Sequence, residues 1–183
     1  EIERKVIRYH LANGGISRFD KFRYFHKKFL GINLEENEVL KLSQKFSHIV
    51  IEKVIIAPYI EGALEFISNN YKRYDLFIST ATPTNEIKKI LNHNDLISYF
   101  KDVKGSPESK IDHVNQIISN NHFSLDEIIF LGDSGSDKEA ADKNDIQFVA
   151  VNDNKKLANV KFRLNNLVDL DKMINTIENQ EKN

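Results

Sequence analysis

Two aspartates four residues apart, Asp133 and Asp137, follow the apolar run Ile128-Ile129-Phe130-Leu131 and a glycine, Gly132. An uninterrupted apolar run bounded by turn residues predicts a strand buried on both faces, and residues 138–144 have helical composition. The acids therefore belong to a loop between a strand and a helix. Paired carboxylates at the carboxyl end of a strand suit a hard cation such as Mg²⁺, which takes oxygen ligands and keeps several waters. The bland alternative is that both acids cap the helix and favour its positive end, contributing about 1 kcal/mol each.

Two earlier loops carry compatible chemistry. Thr80 follows the apolar run of residues 75–79 and offers a hydroxyl beside the N–H groups of the next helix, which suits an anion. Lys110, after Gly105-Ser106-Pro107, is a mobile point charge able to reach a phosphoryl oxygen. Taken singly, Ser79, Thr80 or Thr82 reads as a helix cap and Lys110 as one more solvated lysine. A hydroxyl, an ammonium and an acid pair, in that chain order at one sheet edge, are what stabilising a transferring phosphoryl group requires.

Such convergence needs strands that run in parallel. From residue 58 onward, apolar runs near residues 75–79, 102–104, 128–131, 148–151 and 161–164 alternate with helical patterns. That alternation predicts an α/β fold, a Rossmann-like parallel sheet with helices on both faces. Residues 1–57 contain no strand candidate. Their apolar positions fall at helical spacing in three segments, separated by Asn13-Gly14-Gly15 and Gly31, with Ser17 placed to cap the second. Within that second segment Phe19, Phe22, Phe25 and Phe29 share a face, and Arg18, Lys21, Arg23, Lys27 and Lys28 are assigned to the others.

Composition narrows the function classes. A chain of 183 residues with 40% hydrophobic and 29% charged residues can bury a substantial core. A net charge of −1 supplies no field for nucleic acid or an anionic membrane. The basic and aromatic run of residues 18–29 therefore reads as a packed helix rather than a nucleic-acid surface. There is no cysteine, which removes disulfides, thiolate metal sites and cysteine nucleophiles. The six histidines show no metal-ligand spacing. No apolar run reaches membrane-spanning length, and a cytoplasmic location is the default expectation.

The segments Leu76-Phe77-Ile78-Ser79-Thr80-Ala81-Thr82-Pro83, Gly105-Ser106-Pro107-Glu108-Ser109-Lys110 and Phe130-Leu131-Gly132-Asp133-Ser134-Gly135-Ser136-Asp137 resemble motifs II, III and IV of the haloacid dehalogenase superfamily, in its phosphoglycolate phosphatase-like branch with a helical cap. The resemblance covers nearly the whole chain. It implies that Thr80 hydrogen-bonds the phosphoryl group and that Lys110 stabilises the charged nucleophile and intermediate. It also implies that Asp133 binds Mg²⁺, with Asp137 as second ligand or as a partner behind the first. Residues 1–57 become an inserted helical cap, and residues 58–183 the α/β core. The implied activity is a phosphomonoester hydrolase acting on a small phosphorylated metabolite through an aspartyl-phosphate. A phosphomutase of the same superfamily and a non-catalytic phosphate- or metal-binding relative are the alternatives; the acid pair disfavours a dehalogenase.

The family's motif I, Asp-x-Asp-x-(Thr/Val), which supplies the nucleophile on the central strand, has no counterpart in this sequence. The expectation is an upstream segment that carries it, without which the core lacks its first strand and the chain alone is inactive. For the substrate, Gly15, Arg18, Thr80 and Ala81 are the expected contacts. Glycine lets backbone approach a ligand, and an arginine at a helix start can grip a carboxylate or second phosphate. Gly14-Gly15 as a plain turn and Arg18 as a solvated side chain is the competing reading.

Overall fold

The computed structural model describes residues 1–151 and 154–181. Helices α1 (Ile2–Ala12), α2 (Arg18–Phe25) and α3 (Glu36–Ile55) come first, and α2 runs on through a π-helical turn at His26–Leu30. Local chemistry sets their ends. Ser17 accepts the Asp20 N–H at the start of α2, Gly31 closes the π turn in the left-handed region (φ +72°), and Glu35 with Glu38 forms a capping box for α3. Aromatic rings tie α1 to α2, Tyr9 stacking on Tyr24 at 4.0 Å, and join α2 to α3 through Phe22 and Phe46 at 6.1 Å. The third helix runs unbroken.

After α4 (Ala63–Asn70) the chain alternates: β1 (Phe77–Pro83), α5 (Thr84–His93), β2 (Asp102–Ser106), α6 (Lys110–Asn121), β3 (Ile129–Gly132), α7 (Gly135–Lys143), β4 (Gln147–Val151), β5 (Phe162–Leu164) and α8 (Leu170–Glu181). All strand pairs are parallel: β1 with β2, β3 with β4, and β4 with β5. The fold is α/β, with helices on both faces. Period two explains the layering around β4. Phe148 and Ala150 pack among Val114 of α6 and Ala140 and Ala141 of α7, whereas the fully buried Val149 packs with Ile177 of α8. Phe66 of α4 joins Leu170 and Ile174 on the α8 side.

The strands form two sheets, β1-β2 and β3-β4-β5, that share no ladder among the described residues. Between β1 and β3 lies a cavity of about 490 Å³ lined by Phe77, Ser79, Ile129 and Leu131, with Val114 and Ile118 on its α6 side. A second of about 510 Å³, lined by Leu76, Ile129, Phe66 and Ile174, occupies the α8 side. The facing edges of β1 and β3 thus border an apolar slot, where a continuous sheet would have a strand about 4.8 Å from each neighbour.

The helical block is fastened to the α/β block. Arg18 of α2 donates to both carboxylate oxygens of Glu86 on α5, at 2.7 and 2.8 Å, and to Ser47 of α3 at 2.8 Å. Lys156 reaches the carbonyl of Ala12.

Candidate active site

The carboxyl ends of β1, β2 and β3 open toward the helical block, and the loops there are locked together. β1 continues past Ser79 through Thr80-Ala81-Thr82 to pair Pro83 with Ser106, with an irregularity between. The apolar run alone predicts a strand that ends before Thr80; long-range pairing with β2 extends it. Ser106 Oγ donates to the Ala81 carbonyl at 2.9 Å, and Thr84 Oγ1 both donates to the Gly105 carbonyl and accepts its N–H. Gly105 is needed for this approach, since a Cβ there would stand 2.3 Å from the Thr82 carbonyl oxygen. Thr80 Oγ1 accepts the Thr82 N–H at 3.2 Å, which leaves the hydroxyl proton available to a ligand.

Lys110 opens α6, whose N-cap is Ser109. Its ammonium lies 2.5 Å from Asp137 Oδ1, and both side chains are close to fully buried. Asp137 is also the third residue of the α7 capping box: its Oδ2 accepts the Ser134 N–H at 3.0 Å and Ser134 Oγ–H at 2.6 Å. Gly132 permits this close seat, because a Cβ would lie 2.2 Å from Asp137 Cβ. Asp133 sits between them, its backbone carbonyl accepting Asn154 Nδ2 at 2.8 Å.

A cavity of about 650 Å³ separates these loops from the helices, within the range of small-molecule sites. Of the residues singled out from sequence, Gly15, Arg18, Thr80, Ala81, Lys110 and Asp133 all line it. Asp137 stands behind Lys110. Gly15 is in the left-handed region (φ +81°), and a Cβ there would meet Ser134 Oγ and Ser136 Oγ at 2.3 Å, so the loop between α1 and α2 is pressed onto the start of α7. Arg18 is neither solvated nor open to a ligand through its full fork. Its guanidinium is committed to Glu86 and lies 4.7 Å from the centre of the Phe46 ring.

Two cavity residues escaped the sequence reading. Lys21, assigned to the outer faces of α2, is buried at 8% exposure, and burial pushes its ammonium pKa down from 10.5. His10 of α1 lines the same cavity; burial, and then the charge of Lys21, lower its pKa from 6.5. The only signal in the sequence was position: Lys21 falls one turn after Arg18, on the same face of α2.

Among the described residues no three histidine, cysteine or acidic side chains are grouped to hold a metal ion. The donor set at the cavity is one carboxylate, Asp133, with Asp137 beside it already accepting three hydrogen bonds. That set fits a hard divalent cation that binds through one or two carboxylates and retains waters. No helix is long and apolar enough to cross a membrane among the described residues.

Residues 18–151 match the family model of the haloacid dehalogenase-like hydrolases. None of the curated proteins matches the sequence. Among solved structures, a predicted phosphatase from Clostridium acetobutylicum superposes with a TM-score of 0.72 at 20% identity, over 88% of this chain and 78% of that one. A β-phosphoglucomutase from Clostridium difficile gives 0.75 at 15% identity, over 92% and 79%. The HAD-hydrolase YfnB from Bacillus subtilis, bound to magnesium, gives 0.68 at 21% identity, over 95% and 79%. At these identities the likeness establishes the fold, and the family assignment rests on the matched residues. The chain belongs to the haloacid dehalogenase-like hydrolases.

Proposed function

We propose that the protein is a Mg²⁺-dependent phosphomonoester hydrolase acting on a small phosphorylated metabolite in the cytoplasm, and that its nucleophile is an aspartate on a segment preceding residue 1. The observation that carries this reading is the convergence of Thr80, Lys110 and Asp133 on one cavity beneath the helical block. Each residue has a role its surroundings suit. Thr80 donates its free hydroxyl proton to a phosphoryl oxygen. Lys110, held by Asp137, places a fixed positive charge where negative charge develops. Gly15 and Ala81 allow backbone to approach the phosphoryl group, and Arg18, braced by Glu86, forms the cavity wall.

Asp133 would hold Mg²⁺, with Asp137 orienting the site from behind, and the cation would supply positive charge to neutralise the phosphoryl oxygens. The aspartate carboxylate of the preceding segment attacks phosphorus, the P–O bond to the leaving group breaks as that oxygen takes up a proton, and water then cleaves the aspartyl-phosphate to return the carboxylate and release phosphate. The apolar slot between β1 and β3 supports the position of the nucleophile. An extended segment seated there would pair with both open edges and end among the three loops.

The test is hydrolysis of p-nitrophenyl phosphate by the protein expressed from its whole reading frame. Activity should require Mg²⁺, vanish with EDTA, and fall by about 100-fold or more in Thr80→Val and Lys110→Met. Turnover unaffected by EDTA and by both substitutions would refute the assignment. A phosphomutase would retain the same residues, and product analysis with a phosphosugar separates the two.

A further inference from the structure

The irregularity in β1 that brings Thr80 to the cavity has a brace behind it. β1 and β2 pair regularly as far as Ser79 and Lys104, and pairing resumes at Pro83 and Ser106. Thr80-Ala81-Thr82 thus stand opposite the single residue Gly105, the arrangement of a bulge, and all three line the cavity. A bulge re-aims side chains, and it has no regular ladder of its own to fix its shape. Here the residue before the bulge and the residue opposite it are held by one side chain, His113 of α6, which is buried at 0% exposure. In the neutral ring Nε2–H donates to the Gly105 carbonyl at 3.2 Å, and Nδ1 accepts from the Ser79 hydroxyl at 2.9 Å. His113 also lies one turn after Lys110 on α6. One imidazole therefore ties together the strand that carries Thr80, the loop that follows β2 and the helix that carries Lys110.

We infer that His113 is a positioning residue, which through Ser79 and Gly105 sets the bulge that aims the Thr80 hydroxyl at a phosphoryl group bound beside Lys110. This rests on the phosphoryl-site reading proposed above. His113 is not among the residues lining the cavity, so it acts only through the backbone it holds. Thr80 Oγ1 already accepts the Thr82 N–H at 3.2 Å within the bulge, and the direction left to its proton follows the shape of that turn. Stability alone is a weak reason for an imidazole here, because a buried hydrogen bond replaces one to water and nets little. Two directional bonds to different strands supply geometry instead, and a misplacement of about 1 Å can cost about 100-fold in rate.

The test is a double-mutant cycle in the full protein, read as turnover of p-nitrophenyl phosphate with Mg²⁺. His113→Leu removes both hydrogen bonds, and Ser79→Ala removes one of them while keeping the ring in place. His113→Leu should lower kcat by at least about tenfold and Ser79→Ala by at least about threefold, each with KM within about twofold of the parent. In a Thr80→Val background the same substitutions should change kcat by less than about twofold, because the hydroxyl they position is gone. A loss of folded protein would instead lower kcat by the same factor in both backgrounds. If His113→Leu does not fold, the Ser79→Ala arm of the cycle decides alone. Equal losses in the two backgrounds, or full kcat in His113→Leu and Ser79→Ala, overturn the inference and leave the phosphoryl site standing. Full turnover in Thr80→Val alone overturns both.

Discussion

The ammonium of Lys110 lies 2.5 Å from Asp137 Oδ1 and joins the start of α6 to the first turn of α7 in a nearly dry setting. The contact joins two chemical segments 27 residues apart in sequence. Breaking it on one side strands a buried charge. Lys110→Met should therefore cost about 3 kcal/mol of stability as well as activity, read from the shift in urea midpoint. A loss below about 1 kcal/mol would show that water already reaches the pair.

The Arg18–Glu86 pair predicts a different signature. Its two short hydrogen bonds connect α2 to α5, so the main consequence of Arg18→Met should be structural, about 3 kcal/mol, with Glu86 left buried on Ser47 alone. Replacing both, Arg18→Met with Glu86→Gln, should recover a substantial part of that loss, because the uncompensated charge is gone. If Arg18→Met leaves the urea midpoint unchanged and only weakens ligand binding, the guanidinium serves the substrate instead of the fold.

Acid sensitivity should come partly from His113. Its Nε2 faces the Gly105 carbonyl at 3.2 Å and must donate there, so in the neutral ring Nδ1 accepts from Ser79 Oγ at 2.9 Å. Burial lowers its pKa from 6.5, against the opposing pull of the Gly105 carbonyl and of Glu108. Below 6.5 the unfolded chain binds a proton that the native ring refuses. Stability is therefore complete above that pH and is lost on acidification, at up to about 1.4 kcal/mol per pH unit. His113→Gln should flatten the dependence of unfolding free energy on pH just below 6.5, and an identical slope would contradict the assignment.

Gly15 should not tolerate a side chain. With φ +81° and with Ser134 and Ser136 hydroxyls 2.3 Å from any added Cβ, Gly15→Ala meets both backbone strain, about 1–2 kcal/mol, and a clash against the α7 start. Thermal denaturation should register the strain, and weaker phosphonate binding should register displacement of the loop. Full stability and affinity in the variant would mean that the loop does not press on α7 as described.

Much of this arrangement was legible in the chain because it is local. The apolar run before Gly132, the Ser17 cap and the alternation of strand and helix patterns depend on neighbours a few residues away, and they place the three chemical loops at one edge. What the sequence concealed is long-range. Pairing of Pro83 with Ser106 draws Thr80 into β1, and no local pattern signals it. Lys21 has the composition of a solvent face, and only the packing of α1, α2 and the α/β loops buries it. Arg18 was picked out for its charge and position, but its partner Glu86 lies 68 residues away on another helix. The division of the strands into two sheets likewise follows from which edges meet in space.

The mechanism turns on where the covalent intermediate forms. The direct measurement is to trap the aspartyl-phosphate during turnover by the whole protein with Mg²⁺, reduce it with borohydride, and map the modified residue by peptide mass spectrometry. A single modified aspartate is expected on a peptide preceding residue 1, in a segment of strand-forming composition. Modification of Asp133, Asp137 or any other aspartate within residues 1–183, or steady turnover with no modified aspartate, would contradict it.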